Sequence, residues 1–295
     1  MVESVAAVRA ALDEHKYLAD EGLSTAIYLA LTLRRPLLLE GEAGVGKTEV
    51  ANVLARWTGG ELIRLQCYEG IDAAQAVYEW DYSRQLLHLR AVEASGAEVV
   101  EDELYSERFL VRRPLLRAIA YEGDVPPVLL VDEVDRADDE FEAFLLEILS
   151  DYAITVPELG TFRTDVPPVV VLTSNRTRDV HDALKRRCLY HWIGHPDFAR
   201  ELAILRVRAP GVPEALARQV AGAAQALRDL DLYKPPGVAE TIDWSQALAA
   251  LGRESIDQDS VDVTLGTILK YREDQERVRA HGLDEVVQAA GERSA

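Results

Sequence analysis

PLLLEGEAGVGKTEV, residues 36–50, decides the fold. Pro36 opens an apolar run, Leu37, Leu38 and Leu39, which predicts a buried strand. Gly41, Glu42, Ala43, Gly44, Val45, Gly46, Lys47 and Thr48 then satisfy the phosphate-loop pattern G-x-x-x-x-G-K-[ST] at every fixed position. Glycines let the backbone turn tightly and aim its N–H groups at an anion. A helix predicted over about 47–57, with Glu49 in its first turn, offers its positive N-terminal end to the same anion. The Lys47 ammonium suits β- and γ-phosphates, and the Thr48 hydroxyl suits Mg²⁺. A glycine-rich turn that binds nothing is the competing reading; strand, loop and helix in the required order argue against it.

The other elements of such a site come from later strands. Val128-Leu129-Leu130-Val131 is a near-continuous apolar run, typical of a parallel strand buried on both faces. It ends in Asp132-Glu133-Val134-Asp135, where ligands of open α/β sheets gather. The Asp132 carboxylate suits Mg²⁺, and Glu133 suits a general base that polarises an attacking water. Asp135 reads instead as a first-turn acid of the following helix. A third buried strand, 169–174, ends at Asn175, whose amide suits the γ-phosphate or the lytic water. Arg186 and Arg187 close a short helix (about 179–187). Either could neutralise charge on a neighbouring subunit's nucleotide, or simply cap a helix C-terminus.

Around these lie elements of coarser signal. Helices are predicted at 3–13 and 21–33; the Tyr17–Leu31 region either packs on the sheet or lines an adenine pocket. Residues 61–67 alternate like a strand. Residues 68–110 exceed a plain connection and read as a projecting insertion, helical at 83–91 and loop-like at 93–108. Tyr78, Trp80 and Tyr82 either contact a partner or cover the core. A helix at 112–121, an amphipathic helix at 139–150, a hairpin at 152–164 and a strand at 188–193 complete an α/β domain. Beyond His195-Pro196 only helices are predicted, at 197–208, 213–230, 239–251, 259–272 and 283–291. This implies domains at 1–195 and 196–295, an α/β core and a small helical one.

Composition excludes several classes. The 295 residues are 48% hydrophobic, so the chain is not disordered as a whole. A net charge of −19 argues against binding nucleic acid by bulk charge. No run of about 18 apolar residues occurs, so no membrane span is expected. The N-terminal stretch lacks the pattern of a signal peptide, which predicts a cytoplasmic location. Cys67 and Cys188 fall in predicted buried strands and read as small core residues.

Together these residues resemble the AAA+ ATPases. GEAGVGKT (41–48) resembles Walker A, LLVDEVD (129–135) Walker B, LTSN (172–175) sensor 1, and LKRR (184–187) the arginine-finger helix. The hairpin and the insertion resemble those of the MoxR branch, and within it the accessory ATPases of carbon monoxide dehydrogenase maturation. The resemblance spans roughly residues 15–275. It implies an α/β P-loop core with a helical lid, ATP and Mg²⁺ as cofactors, and a ring, commonly hexameric, whose sites are completed by a neighbour's arginine. It further implies chaperone-like remodelling or metal-cofactor insertion, usually with a partner carrying a von Willebrand factor A domain. A nucleotide-gated binding module and a DNA-directed loader are the alternatives. One departure stands out: KPPGVAETIDW (234–244), where a lid-helix arginine is usual in such families, has none, and Lys234 is the available substitute.

Overall fold

The computed structural model describes residues 2–96 and 101–294. Two helices open the chain, α1 (Val5–Glu14) and α2 (Glu21–Leu33). β1 (Leu37–Gly41) runs through the glycine loop into α3 (Lys47–Thr58). β2 (Leu62–Gln66) precedes the insertion, which contains α4 (Ala73–Val77), β3 (Tyr78–Trp80), α5 (Tyr82–Ser95), α6 (Glu101–Leu104) and β4 (Leu110–Arg112). After α7 (Pro114–Ile119) come β5 (Val128–Asp132), α8 (Asp139–Asp151), the hairpin strands β6 (Ala153–Val156) and β7 (Gly160–Arg163), β8 (Val169–Ser174), α9 (Asp182–Arg187) and β9 (Leu189–Ile193). The rest is helical: α10 (Phe198–Arg208), α11 (Glu214–Asp229), α12 (Val238–Ala250), α13 (Gln258–Ile268), α14 (Arg272–His281) and α15 (Leu283–Ser294).

The main sheet has five strands in the order β2-β5-β8-β1-β9. β1 pairs with β8, β8 with β5 and β5 with β2, all in parallel. Every residue of β1 and β5 is buried, which is why both read as unbroken apolar runs rather than alternating ones. Register brings the carboxyl ends of the strands level. Glu40 lies opposite Ser174, Val131 opposite Leu172, and Asp132 opposite Gln66.

Contacts divide the chain into two compact units. One comprises residues 1–8, 21–40 and 50–191. Its core joins the sheet residues Leu38, Ile63, Leu129 and Leu172 to Leu115 and Leu116 of α7 and to Phe141, Leu145 and Ile148 of α8. The other comprises residues 9–20, 41–49 and 192–295. Its core is helical, with Leu202, Leu216, Val220, Leu227, Trp244, Leu265 and Ala290 at the centre. Trp244 is fully buried, and its indole N–H donates to Thr264 Oγ1 at 2.7 Å, which satisfies the one polar atom it carries.

Several local expectations need correction. Residues 93–108 are not one loop: α5 runs to Ser95, α6 follows, and 97–100 lie outside the described residues. Asp81 caps α5 and Gly96, in the left-handed region, closes it. The aromatic stretch at Tyr78–Trp80 is a strand paired with β4, so the helix expected from 112 begins only at Pro114. Trp80 is buried and Tyr82 is exposed, so the three aromatics divide between core and surface. The helix expected at 259–272 stops at Ile268, and α14 occupies 272–281. Its start is held by Asp274, whose buried carboxylate accepts from the backbone N–H groups of Tyr233 (2.7 Å) and Lys234 (3.1 Å). Cys67 and Cys188 each lie one residue outside a strand, and both are buried free thiols.

Candidate functional site

The phosphate loop belongs to the second unit. Gly44 and Gly46 adopt φ of +77° and +94°, conformations an L side chain rarely takes. Lys47 is buried as the first residue of α3, and its Nζ donates to the carbonyls of Gly41 (2.8 Å) and Glu42 (2.6 Å). Thr48 and Glu49 are half-buried beside it, and Glu49 faces Arg208 of α10 at 3.4 Å. The Tyr17 ring is buried against the loop: a Cβ added to Gly46 would lie 3.5 Å from its Cε2.

The start of α12 meets the same loop. Ala239 N–H donates to the Gly44 carbonyl at 3.2 Å. A Cβ on Gly237, the residue that caps α12, would lie 2.7 Å from the Ala43 carbonyl oxygen and 2.8 Å from Gly44 Cα. Only a glycine permits that approach. The Lys234 Nζ sits 5.9 Å above the Tyr271 ring. The turn before α12 is held by Arg228 of α11. This buried guanidinium donates to the Pro236 carbonyl and to both carboxylate oxygens of Glu201, at 2.6 and 2.7 Å.

His195 lies in this unit too. Its Nδ1 is buried and has no hydrogen-bond partner among the described residues. Burial first, then the Arg228 and Lys47 charges, push its pKa down to about 4, so the ring is neutral at physiological pH.

The acidic elements belong to the first unit. Asp132 is 3% exposed. The Thr173 hydroxyl donates to its Oδ1 at 2.5 Å and accepts from the Glu133 backbone N–H at 2.9 Å, so one buried side chain from β8 aligns both acids. Glu133 itself sits at φ +55°, a strained backbone for a non-glycine residue, and its half-buried carboxylate faces Arg136 at 3.7 Å. Asp135 lies in the first turn of a short 3-10 helix, Val134–Arg136, as expected, but it is buried rather than solvated. It is 2% exposed, and the N-cap of α8 is Asp138. The Asp135 carboxylate accepts from Asn175 N–H (3.2 Å), Thr177 N–H (2.8 Å) and the Thr177 hydroxyl (2.7 Å). It thus fixes the backbone of the turn that presents the half-buried Asn175 amide. Arg178 fastens the far side of that turn to α8, through the Ala137 carbonyl, Asp139 and the buried Glu142. Four carboxylates gather here: after burial, Asp132, Asp135, Glu142 and Glu133 together push the Cys67 thiol up to about 12.

Arg186 and Arg187 are both exposed, and neither guanidinium has a partner among the described residues. Their backbone carbonyls accept from Arg35, which holds the C-terminal end of α9. Sequence reading missed Thr173, Arg178 and Glu142, because each acts through a contact distant in the chain, and His195, whose burial only the fold decides. Only for Asp135 was there a signal, a third carboxylate within the LLVDEVD run.

No cluster of three or more metal-ligating side chains occurs among the described residues. Mg²⁺ binds through one or two protein oxygens together with substrate phosphates. The Thr48 hydroxyl and the Asp132 carboxylate are each hard oxygen donors of that kind.

A parallel sheet whose β1 turns through a glycine loop into a lysine-led helix, and whose β5 ends in a buried aspartate followed by a half-buried glutamate, defines a P-loop nucleotide-binding protein. The chain belongs to the AAA domain family, dynein-related subfamily, whose sequence profile matches residues 36–188. It is similar to the solved structure of a protein assigned as an ATPase from Cytophaga hutchinsonii, with 15% identity, 98% of this chain and 96% of that one covered, and a TM-score of 0.45. It is also similar to a mutant of RuvB from Thermotoga maritima, with 16% identity, coverages of 92% and 80%, and a TM-score of 0.48. Similarity at this level carries no inference about activity. No curated protein matches the chain. No helix among the described residues is long and apolar enough to cross a membrane.

Proposed function

We propose that the chain hydrolyses ATP with Mg²⁺ and uses the cycle to remodel a protein client, as a cytoplasmic MoxR-type AAA+ ATPase with residues 196–295 as its lid. One observation carries this reading. The buried Thr173 hydroxyl aligns Asp132 and Glu133 at the carboxyl edge of the sheet whose β1 continues into the phosphate loop. In this reading the loop N–H groups of residues 41–48 and the Lys47 ammonium hold the β- and γ-phosphates, while Thr48 and Asp132 hold the metal. Bound Mg²⁺ neutralises charge on those phosphates. Glu133 takes a proton from water as the water oxygen bonds to the γ-phosphorus and the bond to the bridging oxygen breaks. Asn175 orients that water. Arg186 or Arg187 of one subunit offsets the charge on the next subunit's nucleotide, which requires a ring, a hexamer by family resemblance.

The client is a protein, reached with a partner carrying a von Willebrand factor A domain, and the work is metal-cofactor maturation of an enzyme such as a molybdenum-containing dehydrogenase. DNA is disfavoured by the net charge of −19. Steady-state phosphate release and nucleotide binding test the chemistry. Lys47→Ala loses binding, whereas Glu133→Gln binds ATP and turns over at least about a hundredfold more slowly. Parent-rate hydrolysis by Glu133→Gln overturns the base assignment. Mixing Arg186→Ala or Arg187→Ala with Lys47→Ala restores activity if the arginine acts across subunits.

A second reading rests on α12, which starts without an arginine while Lys234 is held over Tyr271. In that reading the chain is a nucleotide-gated assembly module with negligible turnover. ATP-dependent oligomerisation without phosphate release would favour it.

A further inference from the structure

Asp132 presents a problem that the neighbouring residues solve in an unusual way. A carboxylate buried to this degree needs a compensating charge, and the chain supplies one from an edge strand. Arg64, on β2, donates from Nη2 to Asp132 Oδ2 at 2.5 Å. The same nitrogen donates to Gln66 Oε1. Arg64 and Gln66 are two residues apart and so share a face of β2, and register sets Gln66 opposite Asp132. The guanidinium is therefore gripped between an amide and the carboxylate, yet its side chain remains 52% exposed against 4% for that of Asp132. It reaches the buried acid from solvent and has an open route back to it. Its alternative roles are weak. It packs on no aromatic ring among the described residues, and β2 has an exposed position there that any polar residue could fill.

We infer that Arg64 is a place-holding counter-ion, occupying Asp132 while the site is empty and giving way when a divalent cation arrives with the nucleotide. This rests on the proposed function, in which Asp132 serves the metal. Two positive charges brought to one carboxylate repel each other, so the guanidinium and a divalent cation compete for Asp132. The guanidinium keeps Asp132 Oδ2 aimed toward β2 in the empty state. Its displacement then weakens metal binding relative to a site with no competitor. Once released, the exposed Arg64 head can return to solvent without repacking, since β2 is the outermost strand of the sheet.

The test is a titration of Mg²⁺, and of Mn²⁺ followed by electron paramagnetic resonance, into the full chain saturated with a non-hydrolysable ATP analogue. Arg64→Gln should bind the cation about tenfold more tightly than the parent, a change worth about 1.4 kcal/mol. Analogue binding in EDTA should stay unchanged. Gln66→Leu, which removes half of the grip, should shift cation affinity in the same direction by less. The metal-free Arg64→Gln chain should melt lower, and Asp132→Asn added to it should restore the melting temperature while abolishing the cation response. Unchanged or weaker cation affinity in Arg64→Gln, with parent binding normal, overturns the inference. Failure of the parent itself to bind the metal–nucleotide pair would overturn the functional reading instead.

Discussion

Replacing Arg228 by methionine should damage both the stability of the helical unit and its grip on nucleotide. The Arg228 side chain is 7% exposed and its partner Glu201 is 0% exposed. Methionine keeps most of the apolar stem and removes the charge. Glu201 would then be a buried carboxylate with Gln225 Nε2, at 2.9 Å, as a remaining donor. Stranding one member of a buried pair costs about 3–5 kcal/mol. The Pro236 carbonyl, which accepts from Arg228 Nε at 2.8 Å, loses its partner for roughly 1 kcal/mol more. A loss of about 4–6 kcal/mol is a large share of the stability of any domain. With a urea slope of about 2 kcal/mol/M it moves the midpoint down by about 2–3 M. Urea titration followed by circular dichroism reads this directly. The decisive control is Glu201→Leu added to Arg228→Met. With no charge left behind, the double variant should recover most of the loss, a strongly favourable coupling in the double-mutant cycle. A single variant within about 1 kcal/mol of the parent, or a double variant as unstable as the two singles summed, refutes the reasoning. Because Pro236 leads into Gly237 and the contact with Gly44, folded Arg228→Met should also bind ATP several-fold more weakly.

Other consequences follow from single contacts. Gly237→Ala places a Cβ 2.7 Å from the Ala43 carbonyl oxygen, so it should lose about 1–3 kcal/mol of stability and raise the Kd for ATP, checked by thermal shift and calorimetry. Asp135→Ala strands two backbone N–H groups and the Thr177 hydroxyl. It should cost about 2–4 kcal/mol and lower kcat for ATP more than it raises KM, because Asn175 loses its anchor rather than the loop its phosphate donors. His195 titrates near 4 in the folded chain against 6.5 as the ordinary value. The unfolded chain therefore binds the extra proton between these pH values, and stability falls as pH drops from about 6.5 to about 4, flattening below. With the ring only partly buried, the loss should be about 1–2 kcal/mol, and His195→Gln should remove that slope from a series of urea titrations across pH.

Much of the site was legible in the chain because its chemistry is local. Gly41 to Thr48 are contiguous, and the strand before and the helix after them follow from an apolar run and a lysine-led periodicity. Asp132 and Asn175 were legible for the same reason, each closing a buried strand. The insertion was harder to read. Its two three-residue strands carry too few positions for alternation to register, and they exist only because Tyr78, Glu79 and Trp80 pair with Arg112, Val111 and Leu110 some thirty residues later. The break between α13 and α14 was invisible because no glycine or proline marks it; a buried Asp274 capturing backbone N–H groups from before α12 does.

The sequence by itself determined the class of the molecule: a strand, a glycine loop and a helix in series can grip a phosphate using nothing but neighbours in the chain. Tertiary structure alone decided how the acids are arranged. Asp135 clamps the turn at Asn175, Thr173 aligns Asp132 with Glu133, and Arg64 covers Asp132 from the sheet edge. Each of these bonds spans roughly forty to seventy residues. A residue's type announces what it can bond to, but which partner it meets is set by strand register and burial, and those emerge only when the sheet has assembled.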